Sequence, residues 1–170
     1  MPVSGDIYKS IGRAAAGAVS IVTAFDLTGH SVVGLTVSSF VTLSFDPPLV
    51  MFAIQHGANS YPSIVSSRAF GVSLLSVAQS DIARRFASKG PDKTSQLSFD
   101  SGEKLQVPLI ADSLVQIECL TNQIFISGDH AIVVGLVEAA RTRDAAPLLY
   151  HAGRFGSFTA LPIADRSASK

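Results

Sequence analysis

Between residues 18 and 142, strand-length apolar runs follow one another without a helix alternating between them, interrupted only by two short helical segments and one long polar loop. A parallel sheet needs a crossover of a dozen or more residues, usually a helix, for each neighbouring pair of strands. This chain has no such alternation, which argues against a doubly wound parallel sheet. The expected fold is mainly β: an antiparallel barrel with a few short helices on its outside. About seven or eight strands are expected, in one domain spanning residues 1–170.

The runs are organised around residues 34–54, GLTVSSFVTLSFDPPLVMFAI, read as two strands with a polar loop between them. In the first strand Val33, Leu35 and Val37 share one face, suited to a core. Gly34, Thr36 and Ser38 share the other, which is small and rich in hydroxyls and offers a flat ligand access to the backbone. Asp46-Pro47-Pro48 makes a stiff, non-helical connection. Residues 49–54 are apolar at every position, as in a strand buried on both faces.

Around this stretch, residues 7–16 read as a helix capped by Asp6 and stopped at Gly17. Residues 18–25 read as a strand, turning at Thr28-Gly29 into residues 31–38. Asn59 or Ser60 caps a short helix to about residue 65, whose N-terminus is a candidate anion site. Ser76-x-x-Gln79 has the form of a capping box and opens a helix to about residue 87. Its adjacent Arg84 and Arg85 point about 100° apart, so one of them at most faces any given ligand. Residues 88–105 read as a surface loop able to close over a site. Pro108 breaks the segment after that loop. Residues 115–122, 123–127 and 131–142 read as strands, the last two joined by a tight turn at Gly128-Asp129-His130. In the first of these, Val115, Ile117 and Cys119 lie opposite Gln116 and Glu118. From residue 164 the tail is polar and expected to fray.

Composition narrows the function classes. The chain is 47% hydrophobic and 15% charged, with zero formal net charge. An average domain has about 25% charged residues. So little charge leaves apolar surface to hide, which favours a homodimer. Zero net charge gives no footprint for nucleic acid or an anionic membrane. No apolar run approaches the roughly 18 residues of a membrane-spanning helix. The N-terminus lacks a signal pattern, and the lone Cys119 sits in an alternating run as a core residue. A cytoplasmic protein is expected.

No GxGxxG, P-loop, zinc-type cysteine cluster or nucleophile elbow is present. The histidines His30, His56, His130 and His151 are scattered, and no metal site is expected. Asp129 is placed to fix the tautomer of its neighbour His130.

The order of the pieces is more telling than any one of them. GLTVSSF is followed by DPPLVMF, then NSYPSI, FGVSLLS, ARRFASK, GDH and LLYHAGRFGSF. From about residue 17 to 158 this series resembles the flavin reductase-like family, the reductase components of two-component flavin-dependent monooxygenases. The resemblance implies an FMN-binding split β-barrel, Greek-key-like and homodimeric. It implies reduction of FMN or FAD by NADH or NADPH and diffusive transfer of the product to a separate monooxygenase. Carried over by motif, Thr36, Val37, Ser38 and Ser39 would line the flavin ring and ribityl chain, with Ala53, Ile54 and Gln55 along its edge. Ser60 and Arg84 would hold the phosphate, and Phe86 and Lys93 would border the cofactor. Gly128, Asp129 and His130 match the family's GDH turn, with His130 as the catalytic-side residue beside the nicotinamide. Tyr150, Arg154 and Phe155 would complete the nicotinamide wall. Lys93 falls in a loop, residues 89–99, that varies within the family.

A flavin carries its own redox chemistry, so the lack of an acid–base constellation agrees with this reading. Two alternatives remain open at the level of sequence. One is a flavoprotein that retains its flavin and reduces another acceptor, such as a ferric chelate. The other is a non-enzymatic flavin- or haem-binding split barrel. Arg141 and Arg143 are the arginines available for the 2′-phosphate of NADPH.

Overall fold

The computed structural model describes residues 2–90 and 93–161, so the expected frayed tail lies outside the described residues. In chain order its elements are α1 (Gly5–Ala14), β1 (Gly17–Ala18), β2 (Ser20–Phe25), β3 (Val32–Val37), β4 (Val41–Ser44), β5 (Leu49–Gln55) and α2 (Tyr61–Ser66). After them come β6 (Ala69–Leu74), α3 (Ser80–Ala87), β7 (Phe99–Ser101), β8 (Pro108–Ile110), β9 (Val115–Ser127), β10 (His130–Thr142), β11 (Leu149–His151) and β12 (Arg154–Gly156). A single 3₁₀ turn, Val77–Gln79, leads into α3 behind the expected Ser76/Gln79 capping box.

Seven strands pair antiparallel in the order β3-β2-β6-β9-β10-β5-β4. The two outer strands, β3 and β4, are neighbours in sequence, joined only by Ser38, Ser39 and Phe40. Four Cα steps reach at most about 15 Å. The edges of a flat seven-stranded sheet lie about 29 Å apart, at about 4.8 Å per gap. The sheet therefore curls until its edges nearly meet, which makes the expected antiparallel barrel, left open between β3 and β4. Two small sheets pack outside it: β1-β11-β12 and the β7-β8 hairpin.

Burial follows the two-residue period of the strands. Val22, Phe52, Phe70, Val72, Cys119 and Val133 fill the interior, with Ile64 of α2 entering from one end. Val19, Ile21, Leu75, Ala83, Phe86 and Ile110 form a second cluster outside, under α3. β2 serves both clusters and is buried along nearly its whole length. Each fully buried Phe or Ile contributes about 1.5–3 kcal/mol.

Several local expectations change. α1 is capped by Ser4, whose Oγ accepts the Ile7 N–H, and Asp6 lies inside its first turn. The polar loop after β3 contains a strand, β4, because Val41 to Ser44 can add to the free edge of β5. β5 is buried on one face only: Val50, Phe52 and Ile54 are buried, whereas Leu49, Met51 and Ala53 are half-buried. Pro108 opens β8 instead of breaking a segment, and the runs at 115–127 fuse into one bulged strand. Cys119 is a core residue as expected; burial pushes its thiol up to about 12.

Glu118 lies opposite the core face of β9, yet it is not solvated. It is buried, and its carboxylate accepts the backbone N–H groups of Glu103 (2.7 Å), Lys104 (3.0 Å) and Leu105 (2.6 Å). One side chain thus satisfies the loop that carries β7 into β8. Glu118→Ala strands those donors and is expected to cost about 2–4 kcal/mol in denaturant unfolding. Glu138→Ala, which breaks only an ion pair with the half-exposed Lys104, is expected to cost under about 1 kcal/mol. Equal losses would mean that the carboxylate at 118 is not what holds the loop.

Candidate functional site

Where the barrel is left open, a cavity of about 520 Å³ runs between the end of β3, the end of β5 and the end of α3. Its lining includes Thr36, Val37, Ser38 and Ser39, then Ala53 and Gln55, then Ser60, Phe86, Lys93 and His130. Among the described residues no carboxylate lines it, whereas Lys89, Lys93 and His130 do. A trough with cationic groups and no acid favours an anionic ligand.

The small face of β3 is used differently from what its sequence suggests. Helix α3 lies on it: Thr36 Oγ1 donates to the Ala83 carbonyl at 2.7 Å. A Cβ on Gly34 would stand 2.6 Å from the Val22 carbonyl oxygen and 2.8 Å from Phe86 Cε1, so the glycine admits both the neighbouring strand and the helix. A ligand reaches only the end of this face, from Thr36 to Ser39. The Ser39 hydroxyl is also engaged, accepting the Ala53 N–H at 3.0 Å and donating to the Ala53 carbonyl at 3.3 Å. This latch ties the β3–β4 connection to β5 and shapes the cavity wall.

At the far end, Ser60 Oγ is buried without a hydrogen-bond partner. Lys93 Nζ donates to the Phe86 carbonyl at 3.0 Å, and burial lowers its pKa from the ordinary lysine value. Arg84 does not line the cavity. Its guanidinium lies 4.9 Å from the centre of the Phe155 ring, while Arg85 turns to the Ser95 hydroxyl at 2.9 Å. The expected helix N-terminus is also weak as an anion site. α2 has six residues, its Tyr61 N–H already donates to the Ala58 carbonyl, and Pro62 has none to give.

Gly128 and Asp129 form a two-residue hairpin turn between β9 and β10, with Gly128 at φ +61°. Neither lines the cavity; they place His130 at its rim, where His130 pairs across the sheet with Gln55. Asp129 Oδ1 lies 2.7 Å from His130 Nδ1, and that bond holds the Asp129 carboxyl below its usual pKa. A carboxylate can only accept, so Nδ1 carries the proton and Nε2 is the free ring nitrogen.

The other positions divide. Ile54 points into the core and does not line the cavity. Tyr150 and Phe155 are cross-strand partners in edge-to-face contact at 5.6 Å, and Phe155 packs on the cluster that contains Phe86. Arg154 pairs with His151 and therefore projects from the opposite face of that small sheet. None of the three lines the 520 Å³ cavity; Arg154 and Phe155 border a separate depression of about 510 Å³ beside β11 and β12. Sequence reasoning missed Leu35, Gly57, Ala58, Ala87, Ser88 and Lys89, which also line the cavity. The polar turn after Ile54 was the available signal for Gly57 and Ala58. Arg141 is bonded to Asp100 and Gln116, and Arg143 to Asp112, so neither waits for a phosphate. A depression of about 570 Å³ on β4 and β5 has an apolar floor and, among the described residues, no titratable group. Among the described residues no cluster suits a metal ion.

Residues 12–159 match the family model of the flavin reductase like domain. The chain belongs to this family. It is 34% identical over 141 residues, 83% of its length and 79% of the relative's, to the FMN reductase (NADH) SmoA of Agrobacterium fabrum. It is 34% identical over 152 residues to the reductase subunit HsaB of a flavin-dependent monooxygenase from Mycobacterium tuberculosis, covering 87% of this chain and 79% of HsaB. Among solved structures, the NADH:FAD oxidoreductase SgcE6 of Streptomyces globisporus, in complex with NAD and FAD fragments, superposes with a TM-score of 0.84. It shares 27% identity over 99% of both chains.

Nitrogen-detected NMR of His130 is expected to show the Nδ1–H tautomer in the neutral ring, and Asp129→Ala is expected to remove that preference. A neutral ring protonated mainly at Nε2 would refute the assignment.

Proposed function

We propose that the 520 Å³ cavity holds the flavin, with its phosphate at the Ser60–Lys93 end and His130 facing the nicotinamide of the hydride donor. The protein is an NAD(P)H-dependent flavin reductase that supplies reduced FMN or FAD to a partner monooxygenase. The observation that carries the site assignment is a trough with no carboxylate among its described lining residues, ending in an unpartnered buried hydroxyl. A buried polar atom in that position fits a ligand with acceptor oxygens.

Bound flavin supplies the hydride acceptor, and the remaining chemistry is positioning. The Ser39–Ala53 latch fixes the wall against which a flat ring lies. Asp129 holds the His130 proton at Nδ1, which leaves Nε2 for the donor nucleotide. Phe86 closes the α3 side against water. With Arg141 and Arg143 tied to acids, the reading favours NADH over NADPH. Tyr150 and Phe155 support the site from behind, through Phe86. The whole chain acts as a single domain.

NADH oxidation, followed at the nicotinamide absorbance band, is expected to require added FMN or FAD and to saturate in it. His130→Ala is expected to raise the KM for NADH about tenfold, as for one lost hydrogen bond to a charged or polar group, while flavin affinity is kept. NADH consumption without added flavin, by protein that stays yellow through gel filtration, would favour a retained-flavin enzyme instead.

The reading also includes a homodimer in the reducing interior of the cell. Phe45 is 97% exposed at the end of β4, beside the exposed Val41 and Leu43 and the half-buried outer face of β5. On α1, Ile7, Tyr8 and Ile11 line an apolar face with no buried residue. A second copy accounts for such surfaces. Light scattering is expected to give twice 17.8 kDa, and Phe45→Asp to shift it toward the single mass. A wild-type mass of one chain would sink the dimer.

A further inference from the structure

A second, smaller cavity of about 120 Å³ adjoins the main one and shares Asn59, Ser60 and Lys93 with it. Lys93 therefore stands in the wall between the two spaces. Its Nζ reaches only a neutral acceptor, the Phe86 carbonyl, and among the described residues no carboxylate pairs with it. Beside it the Ser60 residue is 95% buried, and its Oγ has no partner. A half-buried cation without a counter-charge and a buried hydroxyl without an acceptor are each unfavourable alone. Both are relieved by one ligand, an anion with several acceptor oxygens.

Resting on the flavin reading above, we infer that Lys93 selects a flavin ending in a phosphate monoester, so that FMN is preferred over both riboflavin and FAD. A phosphate monoester carries about 1.5–2 negative charges near neutral pH and offers three acceptor oxygens. Riboflavin brings neither. Each phosphate of FAD sits between two esterified oxygens, with one charge and two free oxygens. Lys89 also lines the main cavity but is exposed, so its charge is screened by water and discriminates less.

The test is calorimetric titration of riboflavin, FMN and FAD into wild type, Lys93→Met and Lys93→Arg, each checked for a native melting transition. Wild type is expected to bind FMN at least about tenfold tighter than either of the others, as for one charge-assisted hydrogen bond. In Lys93→Met the three constants are expected to converge to within about threefold, whereas Lys93→Arg keeps the order. Equal or tighter binding of FAD by wild type, or an FMN preference that survives in Lys93→Met, overturns the inference. The same proteins separate it from the reductase reading. FMN preference without NADH oxidation refutes the reductase and leaves Lys93 standing. NADH oxidation with no discrimination among flavins does the reverse.

Discussion

Three residues, Ser38, Ser39 and Phe40, tether the two outer strands of a seven-stranded sheet, and most of the architecture depends on how short that tether is. It is too short to let the sheet lie flat, so the strands must coil round an interior. The strands it joins do not pair with each other, since the order of the sheet gives each of them one partner only. The barrel is closed in space and open in hydrogen bonding at the same place. An open edge leaves backbone groups and a gap that something must cover. The protein covers part of it with the Ser39 latch onto Ala53 and leaves the rest as the cavity. The candidate site thus lies at the seam of the barrel, walled by the ends of β3 and β5.

Helix α3 couples that seam to the outside of the fold. Its buried side, Ala83 and Phe86, sits on the small face of β3, where Gly34 and Thr36 let it approach closely. Its last turn delivers Ala87, Ser88 and Lys89 to the cavity and gives the Phe86 carbonyl to Lys93. Its exposed side carries Arg84 onto Phe155 of the small sheet. A change at Phe86 would therefore reach the barrel wall, the cavity and the outer sheet together. The adjacent arginines diverge as helix geometry requires, and neither of them lines the cavity.

Much of this was legible in the residues, because strands declare themselves by period and turns by glycine, proline and aspartate. The antiparallel order, the core face of β3, the capping box before α3 and the hairpin at Gly128 all rest on such local signals. What the residues did not reveal shares one cause. Thr36, Glu118 and Ala53 have roles set by partners far away in the chain: the Ala83 carbonyl, three amides at residues 103–105, and the Ser39 hydroxyl. A hydroxyl-rich face looks the same in sequence whether it meets a ligand or a helix. Likewise Tyr150, Arg154 and Phe155 read as one aromatic-basic motif. Only the pairing of β11 with β12 puts the arginine on the opposite face from the two rings.

The same long-range pairings decide how firmly an anion is held. Arginine binds phosphate as a planar fork with parallel hydrogen bonds, and lysine binds it as a point charge on a flexible stem. The two arginines near the end of β10 are tied to Asp100 and Asp112, and Arg84 is stacked on an aromatic ring. What remains at the cavity is lysine, beside a trough whose Ser38, Ser39, Gln55 and Asn59 are exposed to water. Such a site gives recognition at one end and little enclosure along its length. A reductase whose reduced flavin has to leave would gain from this arrangement. A deeply buried arginine clamp would tighten binding mainly by slowing departure, and departure is the step on which delivery to a second enzyme depends.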